Sequence, residues 1–246
     1  MNMFGISDKG LVRDQNQDSF FTSYNHHGDF IAVVCDGIGG GVAGDVASKM
    51  AVNEVQASFL VAPSFHKDQD VKTWLKDTIK KANDIIFSQS SKSKAQRGMG
   101  TTIVGVLITK DKKAYIFNVG DSRTYGYYDE LICLTQDHNL VTDLMKAGEI
   151  DKAKALSLPK GNMLTNALGI WDNLKIDINK IKDNYRYLLI CSDGLHSYVP
   201  EGVISHVLSG KEDVKSKAEH LIELSKKAGG YDNVSVIIIE GENDHE

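Results

Sequence analysis

Twice in this chain an uninterrupted apolar run leads directly toward an Asp-Gly pair: Ile31-Ala-Val-Val-Cys35 before Asp36-Gly37, and Tyr187-Leu-Leu-Ile-Cys191 before Ser192-Asp193-Gly194. Such runs read as buried strands that deliver one carboxylate to the edge of a sheet, because an unpaired charge inside the core costs several kcal/mol. A cation is therefore expected opposite Asp36. Taken singly, each Asp-Gly also fits a short hairpin turn. Beyond Asp36, Gly39-Gly-Gly41-Val-Ala-Gly44 matches the G-x-G-x-x-G spacing of a dinucleotide loop. That reading needs a strand after the following helix, whereas Ala62 to Asp70 is a polar, proline-bearing linker into a second helix.

The remaining pattern alternates strands and one-faced helices. A strand, a polar loop holding Arg13, Asn16 and Asp18, and a second strand are expected between Met3 and Phe21. Ala47, Met50, Ala51, Val55 and Phe59 form one helical stripe, and Val71, Trp74, Leu75, Thr78, Ile79, Ala82, Ile85 and Ile86 another. Ser88 to Arg97 reads as a polar loop. Thr101–Ile108, Ala114–Val119 and Glu130–Thr135 read as an antiparallel meander, with turns at Lys110–Lys113 and Tyr125–Asp129. Consecutive apolar residues in these strands imply a sheet covered on both faces. Asn139 to Gly169 interrupts the pattern with a short helical piece and a poorly periodic stretch around Pro159, a composition expected of a surface insertion beside a site. Two helices, striped by Val203, Ile204, Val207, Leu208 and by Val214, Ala218, Leu221, Ile222, Ser225, precede a last strand, Val234–Ile239, and an acidic tail.

With 246 residues, 41% hydrophobic and 25% charged, the chain can bury a full core as one domain. A net charge of −5 without a basic block argues against nucleic acid or an anionic membrane as partner. No 18-residue apolar run and no signal-like N-terminus is present, so a cytoplasmic protein is expected. Cys35, Cys133 and Cys191 have no paired spacing and read as small buried hydrophobes in a reducing compartment.

Asp36, Asp121 and Asp193 each end an apolar run, while Asp232 precedes one. In antiparallel pairing the end of one strand lies beside the start of its neighbour, so all four can meet on one rim. Clustered carboxylates repel one another unless cations neutralise them. With no histidine or cysteine at ligand spacing, an all-oxygen set suits Mg²⁺ or Mn²⁺ better than zinc. Two such ions about 3.5–4 Å apart can activate a bridging water, and the guanidinium of Arg13 matches two phosphate oxygens. The residues thus point to metal-assisted phosphoryl hydrolysis.

The ordered motifs Arg13-x-x-Asn16-Gln-Asp18, Asp36-Gly-Ile-Gly-Gly, Met99-Gly-Thr-Thr102, Val119-Gly-Asp-Ser-Arg123, Asp137-His138, Ser192-Asp-Gly194 and Gly229-Gly-Tyr-Asp-Asn233 resemble the PP2C (PPM) family of metal-dependent serine/threonine protein phosphatases in its compact bacterial form. The resemblance spans essentially the whole chain. It implies an α+β fold, a four-layer αββα sandwich of two mostly antiparallel sheets flanked by helix pairs. Residues 1–246 would form one domain, with a flap at about 139–168 that includes Asn139 to Leu164. It further implies that Asp36 bridges two ions, that the carbonyl of Gly37 binds one and Asp193 and Asp232 the other, and that Asp18 acts through metal-bound water. Asp121 would help hold a third, weaker ion and Arg13 would grip the phosphate. Arg13, Asp36 and Asp193 are the expected catalytic set. Phosphorylated proteins are the expected substrates, a Ser/Thr kinase the opposing enzyme, and a monomer the expected state. Three departures stand out: Gln17 where many relatives carry Glu, Gly41 where many bacterial members carry His, and Tyr231 in place of a common Arg. With Gly41 no general acid is available there, leaving a metal-bound water to protonate the leaving group. His138 is expected to be structural. The competing reading is a catalytically inactive PP2C fold used as a regulatory binding module.

Overall fold

The computed structural model describes residues 1–39, 43–92, 94–155, 158 and 161–241. The strands are β1 (Met3–Asp8), β2 (Ser19–Tyr24), β3 (Phe30–Cys35), β4 (Gly37–Ile38), β5 (Gly100–Thr101), β6 (Ile103–Ile108), β7 (Ala114–Val119), β8 (Arg123–Tyr127), β9 (Leu131–Cys133), β10 (Asp177–Ile181), β11 (Tyr187–Cys191) and β12 (Val234–Glu240). The helices are α1 (Ala43–Leu60), α2 (Asp68–Lys92), α3 (Leu140–Lys146), α4 (Lys152–Ala155), α5 (Asp193–His196), α6 (Glu201–Ser209) and α7 (Val214–Lys227).

Two five-stranded sheets carry the fold, in the orders β10-β7-β6-β3-β2 and β1-β12-β11-β8-β9, and β4 pairs with β5 beside the first. Every described pairing is antiparallel. Side-chain alternation along single strands explains the layering. In β3, Ile31, Val33 and Cys35 pack with Ala47, Val55, Phe59 and Leu75 of α1 and α2, while Phe30, Ala32 and Val34 face Leu188, Ile190, Ile237 and Ile239 of the other sheet. In β12, Val234, Val236 and Ile238 turn outward to Leu195, Ile204, Leu221 and Ile222 of α5–α7. The three layers of contact are thus helices on sheet, sheet on sheet, and sheet on helices, the αββα sandwich expected. Both inner strands are apolar on both faces because both faces are covered, and each fully buried Ile or Val contributes about 1.5–3 kcal/mol.

Several local expectations change. Tyr125 to Asp129 is not a turn. It overlaps β8, a buried strand paired with β11 through Tyr187↔Tyr127 and Cys191↔Arg123. Gly126 lies within this strand. That glycine sits mid-strand because a Cβ there would lie 2.7 Å from the Tyr128 ring and 3.0 Å from Leu134. The supposed meander is therefore two hairpins in different sheets, β6–β7 in the first and β8–β9 in the second. The chain crosses between sheets at Gly120–Ser122, which places Asp121 at the crossing. β10, whose register on β7 runs from Asp177↔Asn118 to Ile181↔Ala114, had no expectation attached. α2 runs on to Lys92, so the polar stretch from Ser88 begins as helix. Cys35 and Cys191 are buried, but Cys133 is exposed because β9 is an edge strand. The helix after β4 is followed by another helix rather than a strand, which removes the βαβ unit. Gly40 to Val42 of the glycine loop, residues 156–157 and 159–160 of the insertion, and tail residues 242–246 lie outside the described residues.

Candidate active site

One end of the sandwich gathers the acidic residues. β2 begins at Ser19, opposite the end of β3 at Cys35, and β12 begins at Val234, opposite the end of β1 at Asp8 and two positions from the Cys191 pairing of β11. Asp18, Asp36, Asp193 and Asp232 flank these strand ends. Neither Asp-Gly pair is a hairpin turn, and neither glycine takes a positive φ. They are glycines because backbone approaches closely. A Cβ at Gly37 would fall on the Gly44 carbonyl and 2.6 Å from that of Gln17, and one at Gly194 would fall on the Asn233 carbonyl. The chain can turn from strand to α1 and from strand to α5 only with that space empty.

Arg13, Asp36, Gly37, Asp121, Asp193 and Asp232 line one cavity of 390 Å³. Asp18 does not line it, being buried beneath. Its Oδ2 accepts hydrogen bonds from the hydroxyls of Ser192 and Ser235, each at 2.7 Å, so the carboxylate preceding β2 of the first sheet is tied to β12 and to the residue after β11 of the second. Arg13 pairs with Asp232 across the cavity: its Nη2 lies 2.8 Å from Asp232 Oδ2. The Asp36 backbone is fixed by Thr102, whose hydroxyl accepts from the Asp36 N–H at 3.0 Å and whose N–H donates to the Asp36 carbonyl at 2.8 Å.

Electrostatically the rim is under tension. Burial, then repulsion from Asp193 and Asp232, outweighs the two serine bonds and pushes the Asp18 carboxyl up to about 7. Burial and the fields of Asp193 and Asp137 push Asp121 to about 7. Asp36 rises well above the carboxylate range through burial and repulsion from Asp18, Asp193 and Asp121, and Asp193 rises through burial and Asp232. Among the described residues no three acidic, imidazole or thiol groups converge into a closed metal-binding set as they stand. Two observations nevertheless fit divalent ions to this rim. Asp18 Oδ1 and Asp193 Oδ1 are buried with no hydrogen-bond partner, a cost that coordination would remove, and the donors are all hard oxygens.

A second ring of polar groups holds the Asp121 crossing. The Gly120 N–H donates to His138 Nδ1 at 3.2 Å, which leaves Nε2 to donate to Asp177 Oδ2 at 2.9 Å. Asn166 Nδ2 also reaches Nδ1, at 2.8 Å. Burial lowers the His138 pKa, and the neutral ring acts as a fixed connector, the structural role expected of it. From the other side His196 Nε2 donates to the Asp121 carbonyl at 2.9 Å, its pKa pushed down to about 4 by burial and Arg123. Arg123 forks onto Asp137 at 2.9 and 2.8 Å. Ser235 and His196 were missed in the sequence. A serine interrupting the apolar run Val234–Ile239 was the available signal for the first; nothing comparable marks His196.

The structure superimposes on that of the serine/threonine phosphatase Stp1 from Staphylococcus aureus with a TM-score of 0.89 and 31% identity, covering 98% of this chain and 95% of that one. The serine/threonine phosphatase stp of Listeria monocytogenes is 35% identical over 236 residues, 95% of this chain and 93% of that protein. The protein phosphatase PhpP of Streptococcus pneumoniae is 33% identical over 237 residues, covering 95% of each. The model of the protein phosphatase 2C family matches residues 12–233. The chain belongs to the protein phosphatase 2C family, whose phosphatases are metal-dependent.

Proposed function

We propose that the protein removes phosphate from phosphoserine and phosphothreonine in protein substrates, using Mg²⁺ or Mn²⁺ held at the carboxylate rim. The observation that carries this reading is the convergence of Arg13 with Asp36, Asp121, Asp193 and Asp232 on one cavity, above a buried Asp18 with an unpartnered oxygen. Asp36, the Gly37 carbonyl, Asp193 and Asp232 are the residues that would hold two core ions, with Asp18 supporting them from below and Asp121 at a third. Bound there, such ions supply charge neutralisation and a water acidic enough to attack phosphorus near neutral pH.

The chain's own groups do the rest. Arg13 offers a planar fork to two phosphate oxygens, and its pairing with Asp232 sets the direction in which the guanidinium points. Asp36 and Asp193 orient the reacting groups from strand ends whose backbones are locked by Thr102 and by the Gly194–Asn233 contact. Met163, Leu164, Ile170 and Trp171 form an apolar side of the cavity. Gly41 supplies no imidazole, so no side chain at that position can protonate the leaving group.

We further propose that residues 1–246 act as one domain and a monomer, with 139–168 as a flap. Leu140 N–H to Met163 O and Val141 N–H to Gly161 O, both at 2.9 Å, join the two described parts of that segment to each other, and its Asn162, Met163 and Leu164 line the cavity. A phosphoprotein substrate requires a kinase that made it, so a Ser/Thr kinase is the natural opposing enzyme. Free cysteines and the lack of any described helix long and apolar enough to cross a membrane support a place in the cytoplasm. The retained carboxylates weigh against an inactive binding module. The test is hydrolysis of p-nitrophenyl phosphate and a phosphothreonine peptide with Mn²⁺ and with excess chelator. Activity is expected only with metal, and full activity in chelator overturns the proposal.

A further inference from the structure

Ile170 separates the Arg13 cavity from a second cavity of 700 Å³, which it also lines together with Ser91, Lys92, Lys94 and Arg97. Some lysines elsewhere sit in ion pairs, such as Lys49 with Asp45 at 2.7 Å, Lys81 with Glu54 at 2.6 Å and Lys180 with Asp68 at 3.0 Å. Lys92, Lys94 and Arg97 are exposed and make no ion pair or hydrogen bond among the described residues. They are not carried on loose chain. Gly98 N–H donates to Ser90 Oγ at 2.9 Å, Gln89 Nε2 reaches Gln96 Oε1 at 2.9 Å, and Met99 N–H bonds the Gln96 carbonyl at 3.1 Å, so the turn after α2 is pinned to the helix it leaves. Lys92 also complements the carboxyl end of α2. Lys94 and Arg97 lie beyond that end. Three unpaired cations on a fixed concave surface, in a chain of net charge −5, create a local positive field that attracts anions.

We propose that this second cavity is an anion subsite for the substrate: it receives a carboxylate or a second phosphate carried by the phosphoprotein some residues from the phosphoserine or phosphothreonine at Arg13, with the intervening chain passing over Ile170 and Trp171. The subsite favours acidic or multiply phosphorylated segments. This rests on the phosphatase reading of the Arg13 cavity.

The test compares phosphothreonine peptides whose flanking positions carry Glu, a second phosphoserine or Ala, with wild-type protein and the Lys94→Glu/Arg97→Glu variant, both in Mn²⁺. Wild type should show kcat/KM about five- to tenfold higher for the anionic peptides, a preference that shrinks near 0.5 M salt. The double variant should lose that preference while hydrolysing p-nitrophenyl phosphate as wild type does. Equal rates on all peptides in wild type, or a preference that survives charge reversal, overturns the subsite. If the double variant instead becomes resistant to inhibition by inorganic phosphate in the p-nitrophenyl phosphate assay, the cavity binds free phosphate and the substrate assignment falls. Absence of p-nitrophenyl phosphate hydrolysis by wild type overturns the phosphatase reading itself, a separate failure.

Discussion

Asp18→Asn is the sharpest test of the charge arrangement at the rim. The carboxyl is fully buried, and its pKa rises from an ordinary 3.8 to about 7. At about 1.4 kcal/mol per tenfold change in proton affinity, ionising it inside the fold costs roughly 4 kcal/mol. The sign follows from proton binding. In the metal-free protein the folded chain holds this proton more tightly than the unfolded chain, so stability falls as pH rises from about 4 to about 7 and the penalty is complete above that. Asparagine keeps an oxygen for the Ser192 and Ser235 hydroxyls and carries no charge. Its NH₂ replaces the unpartnered Oδ1 and leaves a buried donor unpaired, at about 1–3 kcal/mol. The balance is a gain of about 1–3 kcal/mol for the variant at pH 8 in chelator. For a chain of this length that raises Tm by about 2–10 °C. At pH 5, where wild-type Asp18 is protonated, the gain should vanish or reverse. Added Mn²⁺ should stabilise wild type and do so less for the variant. The measurement is thermal unfolding at both pH values with chelator and with Mn²⁺. A variant that melts no higher than wild type at pH 8 in chelator, or by the same margin at pH 5, refutes the reasoning.

Three further outcomes follow from the geometry. Arg13→Ala should lower kcat/KM for p-nitrophenyl phosphate about 10²–10³-fold, with Arg13→Lys recovering little because a point charge does not reproduce the fork. Gly194→Ala should cost about 1–3 kcal/mol in urea unfolding and depress activity, since its Cβ meets the Asn233 carbonyl; a neutral result would show that α5 shifts freely. His138→Ala strips partners from Gly120, Asn166 and Asp177, so the urea midpoint should fall by an amount worth about 2–4 kcal/mol, accompanied by a lower kcat as the Asp121 crossing loosens.

Strand ends and helix stripes could be read from the sequence because their signals are local. Ile31 to Cys35 and Tyr187 to Cys191 are strands on apolar content alone, and Ala47, Ala51, Val55 and Phe59 define the buried face of α1. β8 escaped because Arg123-Thr-Tyr-Gly-Tyr lacks a continuous apolar run and because its glycine answers a packing constraint from Tyr128 and Leu134, two residues before the hairpin loop to β9. β10, with Asp177, Asn179 and Lys180 on an edge strand, gains its structure from pairing with β7 rather than from its own pattern. At the site, residue identities were readable and relations were not. Asp18 is separated from Ser192 by 174 positions and from Ser235 by 217, so no spacing rule connects them. Nor does any spacing rule connect Arg13 with Asp232, its ion-pair partner across a separation of 219.

Those long-range bonds bear on how function and stability are joined. Asp18 belongs to the β2 end of one sheet, and the hydroxyls that hold it belong to β12 and the residue after β11 in the other, so the carboxylate beneath the cavity is also a clasp between the two layers. Asp121 sits where the chain passes from one sheet to the other, its own carbonyl held by His196 and the preceding Gly120 N–H by His138. A rim assembled across the seam concentrates negative charge where the sandwich is closed. The fold opposes this charge, since burial and repulsion raise the carboxyl pKa values, and cations at the rim relieve it. Divalent ions are then expected to act on the sandwich as a whole. Metal binding should protect amides of β2, β11 and β12 from exchange together, whereas protection confined to the cavity loops would mean that the seam is held by its apolar layer alone.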